Sequence, residues 1–371
     1  MQPVARSCVS QSHLVLIAFI SLWLSGISAN AVLFYSTGDP NHNRNAPGGS
    51  LTNSGWQYEG LWGSYLGTPI APKYFIAAGH VGGGVGGPFV FRGVTYTTTA
   101  VYDDPSSDLR IWRICGTFPD YAQIYTNSNE VNDSNTNGMV VFGRGTQRGA
   151  PVTTPGGLFG VKTNGWQWGP GDGIERWGTN TITATPDDGN TAGGFLQATF
   201  DQSGGGNECH LSNGDSSGAV FIRDGSVWKL AGINYAVDGP YNTTNSGPGF
   251  SAAIFDGGGL YTTVGTNWVL TPDLPTAQPG SFYATRISAH VAWINSVING
   301  PTPSDSTPTL QSSADVAGQY ADESNAVVDD TSKTITIALP GGSRFYRLRA
   351  CGALTIQSIQ VQGGNLVLAY Q

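Results

Sequence analysis

The sequence predicts an all-β fold that is closed by a single helix. Short apolar segments recur along the chain, and each is bounded by Gly, Pro, Asn or Asp, the residues that favour turns. Glycine is abundant (53 of 371 residues), whereas charged residues make up only 11% of the chain, as is typical of a turn-rich extracellular β protein. One segment, residues 287–298, carries apolar residues at helical spacing instead.

The first 31 residues have the features of a secretory signal peptide. Arg6 precedes an apolar run over residues 14–24, and residues 29–31 (Ala-Asn-Ala) form a small-x-small cleavage site. We therefore expect cleavage after Ala31, a mature chain that begins at Val32, and secretion to the extracellular space, the periplasm or the cell surface. The run is short for a membrane span and no comparable run follows, so no membrane span is expected.

Eight short strands are predicted between the signal peptide and the helix. Each combines apolar or β-branched residues with turn residues at its ends. The predicted strands are Tyr65–Ile70, Tyr74–Ala78, Thr95–Val101, Leu109–Ile114, Met139–Phe142, Phe195–Phe200, Ala219–Ile222 and Trp228–Ile233. Many short strands at this spacing are typical of a barrel or a sandwich.

The predicted helix has one apolar face. That face consists of Ile287, Val291, Ile294 and Ile298. We expect Ser288 to cap the helix at its N-terminus and residues 299–301 (Asn-Gly-Pro) to end it.

Two further segments follow the helix. Residues 301–317 are rich in Pro, Ser, Thr and Asp, which predicts a linker. Residues 318–371 are predicted to form a small β module, since Ile335, Ile337 and Leu339 alternate on one face. Its later predicted strands are Phe345–Leu348, Leu354–Ile359 and Leu366–Tyr370. Attachment to a substrate or a cell surface and a passive stabilising role are both open for this module.

Composition and cysteine content exclude several classes of function. The net charge of −8 makes a nucleic-acid partner unexpected, because such proteins usually have a basic face. Three cysteines follow the signal peptide, Cys115, Cys209 and Cys351, so at most one internal bridge can form. A bridge between Cys115 and Cys209 and three unpaired thiols are both open. The sequence contains no Cys-x-x-Cys pair and no His-Glu-x-x-His motif, so it gives no indication of a zinc site.

Three short motifs hold a candidate nucleophile, base and orienting group. His80 ends Ile-Ala-Ala-Gly-His, Asp108 opens Asp-Leu-Arg-Ile, and Ser216 lies within Asn-Gly-Asp-Ser-Ser-Gly. A hydroxyl attacks well only when an imidazole takes its proton, and a carboxylate fixes the imidazole in the required tautomer. Asp104 is an alternative to Asp108, and Ser217 is a rival nucleophile.

The motifs and their order resemble those of the trypsin-like, chymotrypsin-fold serine peptidases that bacteria secrete. The run that ends at His80 is similar to the family's Thr-Ala-Ala-His-Cys, and residues 108–114 are similar to Asp-Ile-Ala-Leu-Leu-Arg-Leu. Residues 214–218 resemble Gly-Asp-Ser-Gly-Gly, and residues 283–294 resemble the helix that closes these domains. The resemblance implies a chymotrypsin-like double antiparallel β-barrel over residues 32–300.

The resemblance also implies roles for individual residues. Ser216 would be the nucleophile, His80 the general base and Asp108 its orienting group, with the amides of Gly214 and Ser216 as the oxyanion hole. No metal or organic cofactor is expected. Tentative substrate-binding positions are His210, Asn234 and Tyr235.

Asp215 has an implied role as well. In vertebrate members of the family this residue pairs with an N-terminal amine that is created by zymogen cleavage. No such zymogen site is found in the sequence. One hypothesis is that signal cleavage supplies the amine at Val32.

The sequence therefore predicts a secreted serine endopeptidase that acts on proteins or peptides. Gly79, Val81, Arg110 and Ser217 depart from the family pattern. Because of Arg110 and Ser217, a catalytically inactive homologue that serves as a secreted binding or adhesion module is the main alternative. A carbohydrate-binding β protein, suggested by 10 Trp and 15 Tyr residues, is a third hypothesis.

Overall fold

The structure is a computed structural model that describes residues 29–30, 32–131, 138–156, 160–301, 307–352 and 354–371. The predicted signal peptide lies outside the described residues, except for β1 (Ala29–Asn30). The next strand, β2 (Leu33–Phe34), is buried. The chain is thus already paired with a strand of residues 160–174 just before the predicted cleavage site, and it is buried directly after that site.

Six strands of the first half of the chain close into an antiparallel barrel, in the order β3-β4-β5-β8-β7-β6. The strands are β3 (Gly60–Trp62), β4 (Tyr65–Ala71), β5 (Tyr74–Ala78), β6 (Pro88–Phe91), β7 (Val94–Asp103) and β8 (Leu109–Ile114). Aromatic side chains fill the interior, with Phe75 stacked on Phe89 and Trp62 packed against Trp112.

The second half of the chain forms a second closed barrel and its additions. Its strands are β9 (Gly138–Gly143), β10 (Thr146–Gly156), β11 (Gly160–Ile174), β12 (Arg176–Ala184), β13 (Phe195–Thr199), β14 (Cys209–His210), β15 (Ala219–Asp224), β16 (Val227–Val237), β17 (Tyr241–Asn242), β18 (Ala252–Ile254), β19 (Tyr261–Val264), β20 (Asn267–Leu270) and β21 (Ser281–Arg286). The barrel closes in the order β12-β13-β21-β16-β15-β9. Strands β10 and β11 form a long hairpin outside the barrel, and β2 pairs with β14.

Short helical segments connect and close the barrels. Single 3₁₀ turns span Gly49–Leu51, Trp56–Tyr58, Gly79–Val81 and Ile287–His290, and α1 spans Val291–Ile298. The N-cap prediction for Ser288 is wrong, because its hydroxyl donates to Glu130 Oε1 at 2.5 Å and His290 holds the N-cap position of α1. The helix ends at the predicted place, with Asn299 as its C-cap.

One apolar seam joins the two barrels. Leu66 and Ile76 of the first barrel pack in the same buried cluster as Phe142 and Phe221 of the second, together with Ile294 of α1. The fold is thus mostly β, with two six-stranded barrels and a short C-terminal helix. This architecture confirms the predicted chymotrypsin-like fold class.

Two small sheets follow the helix. Their strands are β22 (Thr309–Ser313), β23 (Ala321–Asp322), β24 (Val327–Asp329), β25 (Thr334–Ala338), β26 (Phe345–Arg349), β27 (Ile356–Gln362) and β28 (Asn365–Tyr370). Strand β22 lies within the segment predicted to be a linker, because Leu310 packs in the core of these sheets. Ile335 and Ile337 are buried as predicted, whereas Leu339 lies beyond the end of β25 and is exposed.

Cys115 and Cys209 are free thiols. Of the two alternatives, unpaired thiols therefore fit these residues and a Cys115–Cys209 bridge does not. Within the part of the chain that the structure describes, no helix is long and apolar enough to cross a membrane.

Glu208 is a buried carboxyl group that holds a loop against the second barrel. Its Oε1 accepts hydrogen bonds from Asn180 Nδ2 at 3.0 Å and from the Asp201 N–H at 2.9 Å. Burial raises the pKa of Glu208 to about 8. The folded chain therefore holds a proton that the unfolded chain has already released between about pH 4.3 and pH 8.

We predict that the free energy of unfolding falls as the pH rises through this interval, because the unfolded chain gains from ionising Glu208 and the folded chain does not. Glu208→Gln keeps the accepting Oε1 but cannot ionise. The variant should equal the wild type near pH 4 and exceed it by at least about 1 kcal/mol at pH 9, because one unit of pKa shift corresponds to about 1.4 kcal/mol. Denaturant titrations at pH 4, 6, 8 and 9 measure the difference. A difference that does not change with pH would contradict the prediction.

Candidate active site

The strand register of the first barrel brings His80 and Asp108 together. Strand β5 ends at Ala78, and the 3₁₀ turn that follows carries His80. Strand β8 begins at Leu109, which lies opposite Ala78 in the β5–β8 ladder. The residue after one strand end and the residue before the other strand are therefore neighbours at the same edge of the barrel.

The Asp108 carboxylate holds the His80 imidazole at two points. Its Oδ2 lies 2.6 Å from His80 Nδ1, and its Oδ1 accepts the His80 backbone N–H at 2.9 Å. The His80 side chain is 40% exposed and that of Asp108 is 19% exposed. The imidazole is therefore accessible to solvent, whereas the carboxylate that holds it is largely shielded. With Nδ1–H donated to the carboxylate, Nε2 is the acceptor that can take a proton.

Gly79 makes this close approach possible. Its N–H donates to the Asp108 carbonyl oxygen at 2.5 Å, and a Cβ at this position would lie 3.1 Å from Asp108 Oδ1. Gly79, which replaces an Ala of the resembled family motif, thus lies where the His80 turn and the loop before β8 approach each other closely.

Asp104, the alternative to Asp108, has a different partner. Its Oδ2 lies 2.7 Å from His290 Nδ1, and both side chains are almost fully buried. Its carboxylate also accepts hydrogen bonds from the hydroxyls of Ser106 and Ser107. The structure therefore brings Asp108, and not Asp104, to His80, while Asp104 ties the closing helix to the loop that precedes Asp108.

The loop that carries Ser216, residues 211–218 between β14 and β15 (the Ser216 loop), is organised around the buried carboxylate of Asp215. Asp215 Oδ1 accepts the N–H groups of Val32 at 3.0 Å and Gly145 at 2.7 Å. Its Oδ2 accepts the N–H of Ser212 at 2.7 Å and the Ser212 hydroxyl at 2.8 Å. Burial raises the pKa of Asp215 to about 6, although these hydrogen bonds favour the ionised form.

Ser216 is half-buried in this loop, next to two backbone N–H groups that have no partner within the described residues. Those groups belong to Gly214, which has a φ of +97°, and to Ser216 itself. Among the described residues, the Ser216 hydroxyl makes no hydrogen bond to His80. Such contacts are often long in the absence of substrate and shorten when substrate binds.

Ser217 is not a second nucleophile. The side chain is fully buried, and its hydroxyl donates to the Leu66 carbonyl oxygen at 2.7 Å and accepts the Ala78 N–H at 3.0 Å. A hydroxyl that is shielded from solvent and engaged on both sides cannot reach a substrate. Ser216 is the accessible hydroxyl of the pair.

Two of the tentative substrate-binding residues are turned inward. His210 is buried, with Nδ1 2.8 Å from the Leu211 carbonyl oxygen and Nε2 3.3 Å from that of Ser281. Burial lowers the pKa of His210. Both ring nitrogens therefore face backbone carbonyl oxygens inside the protein, and the substrate-binding role of His210 stays a prediction.

The Asn234 side chain supports the Ser216 loop from inside the protein. This side chain is fully buried, and its Nδ2 donates to the carbonyl oxygens of Phe142 at 2.8 Å and Asp215 at 3.0 Å. The sequence motif identified Asn234 but could not indicate this direction of the side chain.

Tyr235 differs from these two residues because its ring is 38% exposed. The ring centroid lies 5.8 Å from that of His80, and the ring stacks on Phe195 at 5.1 Å. Tyr235 and Phe195 therefore form an aromatic surface beside the imidazole, where a bound chain could pack.

Comparisons with known proteins give a distant structural likeness. No protein-family model and no curated protein matches the chain. Among solved structures, the chain is similar to neuropsin, a serine protease expressed in the limbic system of mouse brain. The two share 14% identity with a TM-score of 0.40, over 66% of this chain and 96% of the neuropsin chain. At this level of similarity the likeness adds no argument about function.

The buried pair of Asp104 and His290 gives a prediction about stability. Asp104→Ala should lower the free energy of unfolding by at least about 2 kcal/mol, because a buried polar group left without a partner costs about 1–3 kcal/mol. The variant removes the partner of the buried His290 Nδ1 and the acceptor of the Ser106 and Ser107 hydroxyls. Asp103→Ala is the control, since Asp103 pairs with Arg110 on the surface and should cost less than about 1 kcal/mol. Chemical denaturation measures both variants. Equal losses for the two would contradict a structural role for Asp104.

Proposed function

We propose that this chain is a secreted serine endopeptidase that cleaves peptide bonds through an acyl-enzyme intermediate on Ser216. The observation that carries the proposal is the pairing of His80 Nδ1 with Asp108 Oδ2 at 2.6 Å, at the edge of the barrel that faces the Ser216 loop. The N–H groups of Gly214 and Ser216, which have no partner within the described part of the chain, meet the second requirement, donors for a developing oxyanion.

In the proposed reaction the same residues act in two steps, formation of an acyl-enzyme and its hydrolysis. His80 Nε2 takes the proton of Ser216 Oγ as that oxygen bonds to the scissile carbonyl carbon. The amides of Gly214 and Ser216 donate to the oxyanion, and Asp108 stabilises the imidazolium. The C–N bond then breaks as His80 returns the proton to the leaving amine. Water attacks the ester in the same way, which releases the acid and frees Ser216.

Protein or peptide chains are the proposed substrates. The exposed ring of Tyr235, stacked on Phe195, offers an apolar surface next to His80 for side chains that precede the scissile bond. The buried position of His210 argues against a direct contact between its ring and the substrate.

The two departures that favoured an inactive homologue have structural explanations. Arg110 Nε donates to Asp103 Oδ1 at 2.5 Å and its guanidinium lies over the Trp112 ring, so the side chain is engaged by residues other than His80 and Asp108. Ser217 is buried and engaged with the first barrel. A binding module without activity remains the alternative that a direct test of Ser216 decides.

We extend the proposal to the new N-terminus that signal cleavage would create. The Val32 N–H already lies 3.0 Å from Asp215 Oδ1, at a buried position. Cleavage after Ala31 would convert this amide into an α-amine, which is largely protonated at pH 7. A cation at this point would lower the pKa of Asp215 and hold the Ser216 loop through a buried ion pair.

The first prediction of the proposal concerns covalent labelling by a fluorophosphonate probe. The probe should label the wild type at Ser216, and Ser216→Ala should abolish labelling. Asp108→Asn should slow it by about 10³–10⁴-fold, because the imidazole then adopts the wrong tautomer. Ser203→Ala, on the exposed surface, is the matched control and should label like the wild type. An unlabelled wild type, or equal labelling of Ser216→Ala, would refute the proposal.

The second prediction compares a chain that begins at Val32 with one that begins at Ala31. The chain with the free Val32 amine should be labelled at least about 10-fold faster at pH 7. A cation that lowers the pKa of Asp215 by about one unit favours the ordered Ser216 loop by about 1.4 kcal/mol, which is a factor of about ten. Asp215→Asn in both chains should remove the difference. Equal rates for the two original chains would show that the Val32 amine has no role.

A further inference from the structure

We infer that Ser217 is a positioning residue for the reaction proposed above, and the inference rests on that proposed function. Its hydroxyl is inserted into a β-ladder of the first barrel. It thereby fixes the Ser216 loop of the second barrel against the strand that ends just before His80.

The hydroxyl of Ser217 makes two hydrogen bonds across the seam. It donates to the Leu66 carbonyl oxygen in β4 at 2.7 Å and accepts the Ala78 N–H in β5 at 3.0 Å. A hydroxyl is a side-chain group that can donate and accept at one atom. The position is fully buried, so no solvent competes for either partner.

The register of the hairpin explains why these two groups need a bridge. Thr68 lies opposite Ile76 in the β4–β5 ladder. The same register, continued by two residues, places Leu66 opposite Ala78, at the point where the strands part. The Ser217 hydroxyl lies between the Ala78 N–H and the Leu66 C=O and bonds to both. It therefore replaces the direct hydrogen bond that the two strands would otherwise make at this pair.

Ala78 also connects to the carboxylate side of the site. On its other edge it pairs with Leu109, the residue after Asp108. The bridge from Ser217 thus reaches a backbone position that lies two residues from His80 and is paired beside Asp108. No other side chain of the Ser216 loop has a hydrogen bond to the first barrel within the described residues.

The backbone conformation at Ser217 is unfavourable for a residue that has a side chain. Its φ is +69°, a region that favours glycine and disfavours residues with a Cβ. Its N–H donates to the Asn234 carbonyl oxygen at 3.0 Å, a bond that a glycine would make equally well. The hydroxyl is therefore the feature of this position that requires serine.

Loss of the hydroxyl should change the geometry of the site. The Ala78 N–H and the Leu66 C=O would lose their buried partner, so the hairpin would close on itself or admit water. Either change shifts the strand that ends before His80 relative to Ser216. A displacement of about 1 Å between reacting groups is enough to lower a rate by about 100-fold.

The test uses Ser217→Ala and Ser217→Gly in the full mature chain, with inactivation by a fluorophosphonate measured as kinact and KI. Both variants remove the hydroxyl, but only glycine also removes the backbone strain. Both should lower kinact at least about 10-fold with KI within about 2-fold of the wild type. Ser217→Gly should have the higher denaturation midpoint of the two. Rates are expressed per folded molecule, using the folded fraction from far-UV and near-UV spectra.

Thr154→Val is the matched control. Thr154 donates a buried hydrogen bond to Asn164 Oδ1 at 2.8 Å in the β10–β11 hairpin, outside the candidate site. This variant should lower the denaturation midpoint but leave kinact within about 2-fold of the wild type.

The outcomes separate this inference from the proposed function. A kinact for Ser217→Gly within 2-fold of a labelled wild type would overturn the positioning role alone. A wild type that is not labelled at Ser216 would overturn the proposed function, and the positioning role with it. A loss of kinact in both Ser217 variants, with the control unaffected, supports the inference.

Discussion

The buried carboxylate of Asp215 is the interaction on which the candidate site depends most. It collects four hydrogen bonds from three different segments, namely the Val32 entry strand, Gly145 and Ser212. A buried carboxylate is costly unless it is satisfied in this way. Because its donors come from separate parts of the chain, satisfying Asp215 fixes the turn that presents Ser216, and the N–H groups of Gly214 and Ser216 have no partner within the described residues.

The two barrels divide the proposed catalytic residues between them, and hydrogen bonds hold the halves in register. The first barrel supplies His80 and Asp108 from the ends of two paired strands, and the second supplies Ser216 from a loop. Val81 stands where the peptidases that the sequence resembles have a cysteine, so this position supplies no disulfide to the His80 loop. The short Gly79–Asp108 backbone contact holds that loop, and a Cβ at Gly79 would lie 3.1 Å from Asp108 Oδ1, so a larger residue would need a small shift of Asp108.

Sequence reasoning predicted the strands that carry the site because those strands are short, apolar and bounded by turn residues. Leu109–Ile114 has the predicted bounds, and Tyr74–Ala78 does as well. The β10–β11 hairpin was not predicted, since its Gly- and Trp-rich sequence lacks a regular alternation of polar and apolar residues. The inward positions of His210 and Asn234 depend on tertiary contacts with Ser281 and Phe142, which no local pattern encodes. Ser217 was identified as a departure, but its partners in the other barrel are some 140–150 residues away.

A crystal structure of the protein after reaction with a phosphonate tests the central claim most directly. The account predicts phosphorus bonded to Ser216 Oγ, a phosphoryl oxygen within hydrogen-bond distance of the Gly214 and Ser216 N–H groups, and His80 Nε2 close to Ser216 Oγ. Phosphorus on another residue, or a phosphoryl oxygen directed away from both N–H groups, would contradict it.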